Sequence, residues 1–206
     1  MAIHKLKTPI SEDDIRKLKV NDVLYVSGII ATARDAAHKR ALELFREGKM
    51  LPIDLRGLVV FHCGPIVKKE NDRWIVIAAG PTTSTRMELF EDEFIKNFEV
   101  RVIIGKGGMG KRTTDTMKKY GAVYAAFTGG AGVLAARAIK EVKGLEWFDL
   151  GMPEALWVFE VEDFGPMTVA IDAHGNNLFE EIKKKAEEIR PKIINSFGEI
   201  LSKSQQ

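Results

Sequence analysis

A single cysteine, Cys63, is all the thiol chemistry that this 206-residue chain contains. That excludes an intrachain disulfide, and one thiolate is too few to hold an iron–sulfur cluster. Glutamine occurs only at Gln205 and Gln206, while Lys and Glu are abundant, a bias seen in heat-adapted proteins. Charge of one sign is also lacking. Lys and Arg number 31 against 29 Asp and Glu, a net +2, so no global field favours nucleic acid. Aromatic residues are only 8% and are not interleaved with basic ones, which argues against a single-strand-binding face. The apolar runs are too short to span a bilayer, and Met1-Ala2-Ile3-His4-Lys5 has no signal-peptide core. The expectation is a soluble cytoplasmic protein that binds neither nucleic acid nor membrane. It forms one domain over 1–206, with a core at about 7–179 and a C-terminal helix at about 177–202.

What is present is polar chemistry at strand ends. The apolar run 74–79 stops at Gly80-Pro81 and opens into Thr82-Thr83-Ser84-Thr85-Arg86. The hydroxyls are short donors and acceptors, and Arg86 offers a planar fork matched to a carboxylate or phosphate. Thr32-Ala33-Arg34-Asp35-Ala36-Ala37-His38 follows the run 23–30, and Gly105-Lys106-Gly107-Gly108 follows 100–104. Three strand ends that each carry a cation suggest a pocket for a small, multiply charged anion.

The remaining pattern reads as a mixed-sheet α/β fold. Ser11 opens a short helix to about 18. Strands are expected at 23–30, 58–63, 74–79, 100–104, 122–127, 146–150, 156–161 and 167–171. Helices are expected at 91–98 and 112–120, and from the glycines 129–132 to about 140. A long helix begins at Asn176-Asn177 and is interrupted near Pro191. Thr32 and Asp35 read as a capping pair for a helix that runs to 47. Its apolar stripe is Ala37, Ala41, Leu44 and Phe45, extended toward the N-terminus by Arg34 and His38. His38 is a candidate acid or base, and Asp35 reads as a cap.

Two alternatives have to be weighed. Gly105 to Lys111 spells most of a phosphate-binding loop, but position 112 is Arg where a magnesium-holding Ser or Thr is needed. The glycines 129–132 suit a phosphate or close strand–helix packing. His62, Cys63 and His174 are too scattered for a metal site, and His62 and Cys63 point to opposite sheet faces if the strand continues.

Six motifs stand in one order: 32–40, Gly64-Pro65, 80–87, 104–109, 150–157 and 171–177. With them the chain resembles the β subunits of class I, iron–sulfur-dependent fumarate hydratase and L(+)-tartrate dehydratase. The resemblance implies a swivelling β/β/α domain. It implies reversible hydration of fumarate to (S)-malate, with L(+)-tartrate dehydration as the alternative, because the anion clamp alone does not separate them. It implies that Arg34, Arg86 and Lys106 grip a dicarboxylate, with Thr83 and Gly105 also at the substrate. Thr82 is implied as proton acceptor and His38 as a further active-site residue. The 4Fe-4S cluster is implied in a separate α subunit, in a heterodimer or α2β2 enzyme, so this chain is expected to bind no metal itself.

Overall fold

The computed structural model describes residues 1–203, with side chains through 195. Four strands lie parallel and adjacent: β2 (Val23–Thr32), β3 (Val59–Phe61), β6 (Val102–Gly105) and β7 (Val123–Ala126). β1 (Ile3–Lys7) adds a parallel edge beside β2. The 16-residue β9 (Leu156–Ile171) runs antiparallel and pairs with both β7 and β2. It thereby closes β2, β3, β6, β7 and β9 into a ring. β8 (Ile139–Glu146) adds to the N-terminal half of β9, and β4 (Ile66–Glu70) and β5 (Arg73–Ala78) form a separate hairpin. The helices are α1 (Glu12–Ile15), α2 (Asp35–Arg46), α3 (Glu91–Phe98), α4 (Lys111–Tyr120), α5 (Gly132–Ala138) and α6 (Leu178–Lys203).

Strand residues alternate between two apolar layers, as the period of two requires. Val59, Phe61, Val102, Ile104, Val123, Ala125, Trp157 and Phe159 belong to one layer. Phe61 on β3 meets Phe164 on β9 at 5.3 Å between ring centroids, although those strands are not neighbours. This layer therefore fills the ring interior. Val60, Ile103, Tyr124 and Val158 face the other way, against Ala37 and Ala41 of α2, Phe94 and Ile95 of α3 and Met117 of α4. Both faces of the parallel strands are covered, which is why they read as unbroken apolar runs.

Several expected elements change on folding. The expected strand 146–150 does not form: only Glu146, the last residue of β8, is in a strand. α5 ends at Ala138 and the chain extends at once into β8, followed by a 3-10 turn at Phe148–Leu150. Pairing with β9 decides this region, a long-range effect that local pattern does not carry. The expected strands 156–161 and 167–171 are one strand, with register shifts in its pairing with β2. α6 continues through Pro191; the position is exposed, so water can take the carbonyl that proline leaves unpaired. On α2, Leu42 is buried, whereas Phe45 is 46% exposed and packs edge-on against Phe98.

Thr32 is not a cap either. It is the last residue of β2, and α2 begins after Arg34 with no side-chain cap. The buried Thr32 hydroxyl accepts the Trp157 N–H at 3.1 Å and donates to the Ala155 carbonyl at 3.4 Å. It fixes the start of β9 against the end of β2. Thr32→Val keeps the shape but strands a buried N–H, so a loss of about 1–3 kcal/mol is expected. A urea titration of the chain measures it as a lower midpoint at unchanged slope.

Candidate active site

Strand register sets the site. Thr32 pairs with Phe61, and Phe61 with Ile104. Arg34, Cys63 and Lys106 therefore each lie two residues beyond one line across three adjacent parallel strands. At about 4.8 Å per strand, the ends of β2 and β6 are about 10 Å apart. The loop after β5 threads between the ends of β3 and β6. The Thr82 N–H donates to the His62 carbonyl at 2.7 Å, the Lys106 N–H to the Thr82 carbonyl at 3.3 Å, and the Ser84 N–H to the Lys106 carbonyl at 2.8 Å. The half-buried Thr82 is thus held beside both strand ends, and Thr83 bridges to Lys106 with its side chain exposed.

Each cation has a distinct setting. Arg34 lies at the N-terminus of α2, its Nε 3.1 Å from Glu154 Oε1. Glu154 Oε2 accepts the Ala36 N–H at 2.9 Å, so the carboxylate also caps the helix start, where negative charge is favoured. A Cβ at Gly64 would fall 2.8 Å from both Arg34 Nη1 and the Pro153 carbonyl oxygen, so a side chain there would push the guanidinium or the backbone aside. Arg86, in a 3-10 turn at Ser84–Leu89, makes a two-nitrogen pair with Asp35. Burial pushes the Asp35 carboxyl up, but the Arg86 bonds and the neighbouring Arg34 charge outweigh it and hold the pKa below the ordinary value. Lys106 is exposed and makes no ion pair among the described residues; its chain passes Gly129, where a Cβ would stand 3.5 Å from Lys106 Cδ. Asp35 and Glu154 sit among these cations as counter-charges.

His38 is fully buried, so it does not open onto these side chains. Its Nδ1 lies 2.8 Å from the Arg34 carbonyl and its Nε2 3.4 Å from Glu91 Oε2. The same carboxylate oxygen lies 3.0 Å from His62 Nε2, and His62 Nδ1 is 2.9 Å from Ser84 Oγ, which also accepts the Tyr124 hydroxyl at 2.9 Å. His38, His62 and Glu91 are all 0% exposed. Sequence reasoning set His62 aside as scattered and missed Glu91, the first residue of α3. No local pattern marks the pair, which meets only when β3, α2 and α3 pack. Among the described residues these three are a group able to share a metal ion, their ligand atoms lying within 4.8 Å of one another.

The contribution of the trio to stability depends on pH. Burial pushes the His38 ring down, but the Glu91 charge and the Arg34 carbonyl overcome it and raise its pKa above 6.5. For His62 burial prevails over Glu91 and the pKa is lowered. Burial pushes Glu91 up, yet the two histidines pull it down to about 2. A histidine raised on folding stabilises fully below 6.5 and loses that contribution as pH rises through its folded value. A lowered one stabilises above 6.5 and loses it as pH falls; Glu91 loses its share as pH drops from 4.5 toward 2. A melting-temperature profile should therefore show a contribution greatest near pH 6.5 that flattens in Glu91→Gln.

Other sequence signals resolve into structure. Gly105 is buried at the end of β6, where any side chain would collide with Ser84 Oγ. The phosphate-loop pattern is closed off: Glu88 accepts the Gly110 and Thr113 N–H groups at the start of α4, and Lys111 pairs with Asp115. Of the glycines 129–132, Gly132 packs on Gly80, where a Cβ would stand 3.1 Å from its nitrogen. Cys63 faces the ring interior, opposite to His62, and burial pushes its thiol up to about 12. His174 contacts the Arg16 carbonyl at 3.0 Å.

Comparison with known proteins places the chain in a family. The family model for the Fumarase C-terminus matches residues 2–182. The L(+)-tartrate dehydratase subunit beta of Escherichia coli (strain K12) is 46% identical over 194 residues, 94% of this chain and 95% of that protein. A putative L(+)-tartrate dehydratase subunit beta of Methanocaldococcus jannaschii is 47% identical over 186 residues, 90% of this chain and 95% of its own. A putative fumarate hydratase class I of Geobacillus stearothermophilus is 44% identical over 182 residues, 88% of this chain but 34% of that longer protein. The chain therefore belongs to the Fumarase C-terminus family, as a β subunit of the class I fumarase and tartrate dehydratase type.

Proposed function

We propose that this chain is the β subunit of a hydro-lyase acting on a four-carbon dicarboxylate, with L(+)-tartrate favoured over fumarate. The observation that carries the reading is the placement of Arg34 and Lys106 beyond the ends of parallel strands, with Thr82 bonded between His62 and Lys106 and Arg86 paired to Asp35, the neighbour of Arg34. Two guanidinium forks and an ammonium match two carboxylates. Arg86 exchanges Asp35 for one substrate carboxylate, and Arg34 and Lys106 take the other end of the ligand. Thr82 accepts the proton from the carbon beside a carboxylate as its alkoxide, formed by loss of its own proton to solvent and stabilised by the neighbouring Lys106 cation, and so returns to the neutral hydroxyl. The same cations stabilise the charge that develops on that carboxylate. Thr83 borders the substrate through its link to Lys106. Gly105 keeps the floor of the site low, and His38 acts from behind Arg34. The closed ring with helices outside is assigned to the swivelling β/β/α class.

The residues of this chain do not fit an iron–sulfur cluster, because its one thiol, Cys63, is buried, faces the interior and is pushed up to about 12. In this reading the 4Fe-4S cluster, and the Lewis acidity that assists hydroxide loss, belong to an α subunit that completes the site. A cytoplasmic enzyme is part of the same proposal. No helix among the described residues is long and apolar enough to cross a membrane.

The tartrate preference supersedes our sequence-based expectation of fumarate. The relatives named L(+)-tartrate dehydratase match nearly their whole length, whereas the relative named fumarate hydratase extends well beyond the match. That relative keeps fumarate as the second reading. The test is anaerobic co-expression with an α subunit of the same enzyme type, followed by assays of L(+)-tartrate, fumarate and (S)-malate. A kcat/KM for L(+)-tartrate above that for the other two is expected, and none for the β chain alone. Turnover by the pure β chain, or no turnover of any four-carbon diacid by the complex, would overturn the reading.

A further inference from the structure

Three ionisable side chains are sealed behind the clamp, where apolar residues would fill the space. Phe90 and Phe94 already flank the His38 ring, at 6.5 and 4.4 Å between centroids. An ion pair buried this way is often no more stable than a well-packed apolar replacement. Neither Nε2 nor either Glu91 oxygen has a well-aligned hydrogen bond, so charge rather than bond geometry holds the carboxylate. Stability alone gives little reason for the trio, but its connections do. On one side His38 reaches the Arg34 carbonyl, the residue from which α2 starts. On the other, His62 holds the clamp loop twice, through its carbonyl to the Thr82 N–H and through its ring to Ser84 Oγ. Ser84 in turn donates its N–H to the Lys106 carbonyl.

We propose that Glu91 is a positioning residue of the dicarboxylate clamp. Acting through His38 and His62, it holds the Arg34 arm and the Thr82–Arg86 arm at a fixed separation. In proton terms, His38 carries both ring protons, one toward the Arg34 carbonyl and one toward Glu91. His62 carries its proton on Nε2 toward Glu91 and accepts the Ser84 O–H at Nδ1. Glu91 touches no substrate, so its loss misplaces the clamp rather than removing a reacting group. This inference rests on the dicarboxylate reading above.

The test compares Glu91→Gln, Glu91→Asp and Ser84→Ala in the complex with the α subunit. Glu91→Gln should raise KM for L(+)-tartrate by about tenfold to a hundredfold, with a smaller change in kcat. Glu91→Asp, which keeps the charge, should recover part of that loss, and Ser84→Ala should give a smaller rise. Nuclear magnetic resonance of the full β chain gives a second readout that needs no activity. At pH 6.5 one histidine should be doubly and one singly protonated, and Glu91→Gln should shift the amide signals of Arg34, Thr82 and Ser84. If the wild-type complex turns over no four-carbon diacid, the function reading fails, and these spectra still decide whether Glu91 couples the two arms. Wild-type KM and kcat in Glu91→Gln, or spectral change confined to α3, would overturn the proposal. So would a stoichiometric metal in the purified chain by elemental analysis, which would make the trio a metal site.

Discussion

Arg86→Ala in the assembled enzyme is expected to lower kcat/KM for the diacid by about 10²- to 10³-fold, the usual cost of removing one preorganised charge-stabilising donor. The side chain is half exposed, and among the described residues its side-chain bonds run to Asp35, itself open to solvent. Fold stability should therefore change by no more than about 0.5 kcal/mol. Arg86→Lys should recover little, because an ammonium cannot reproduce the two-point fork. Asp35→Asn separates the two duties of Arg86. It frees the guanidinium without removing it, so KM should fall if the substrate must displace Asp35. Steady-state kinetics at one ionic strength, together with a thermal melt of each variant, check all three. Wild-type turnover in Arg86→Ala would remove this residue from the site.

Trp157→Ala is expected to be the most damaging single change to the fold. Trp157 is fully buried, stands edge-on to Trp74 at 5.3 Å between centroids, and donates its indole N–H to the Met152 carbonyl at 2.9 Å. Its backbone N–H is the one held by Thr32. The truncation empties part of the ring interior and leaves that carbonyl unpaired, so about 3–5 kcal/mol should be lost. For a chain of this length that lowers the melting temperature by about 6–20 °C. Calorimetry of the chain alone measures it, and a shift of only a degree or two would mean that the ring collapses to refill the space.

These two residues differ in how readable they were. Arg86 stands in a run of small polar residues after a β-branched strand, and such a run has no reason to be buried. The cations Arg34 and Lys106 were legible because they follow parallel strands with both faces covered, which announce themselves as unbroken apolar runs; Arg86 follows β5, an antiparallel hairpin strand with Ile75 and Ile77 exposed, and was legible from its polar run alone. The elements around them were legible too, within a residue or two for α3, α4 and β7. The counter-charges were not. Asp35 read as a cap, and Glu154 was just one letter of a motif 120 residues from Arg34, so pairing between them exists only in three dimensions. Glu91 and His62 were hidden for the same reason, and because an acidic helix start such as Glu91-Asp92-Glu93 usually points to solvent. The region 132–150 misled because Ile139, Val142 and Leu145 suit a helix continuing as well as a strand. Pairing with β9 chose the strand.

The strand that closes the ring is made after every strand that it closes against. β2 ends at Thr32, while its partner β9 begins at Leu156 and the clamp beside it stops at Lys106. On the ribosome, every residue assigned to substrate is therefore synthesised before the strand that completes the sheet around it. Pairs so far apart in sequence form slowly, because the chain between them must be ordered first. Until β9 emerges, both edges of the four parallel strands stay open except where β1 covers one of them, and open edges invite pairing with other chains. Truncation within β9 should accordingly yield an aggregating chain rather than a smaller domain with a working clamp. An α subunit that recognises the finished clamp would engage only chains whose synthesis has run to the end of that strand, which makes assembly a check on completed folding.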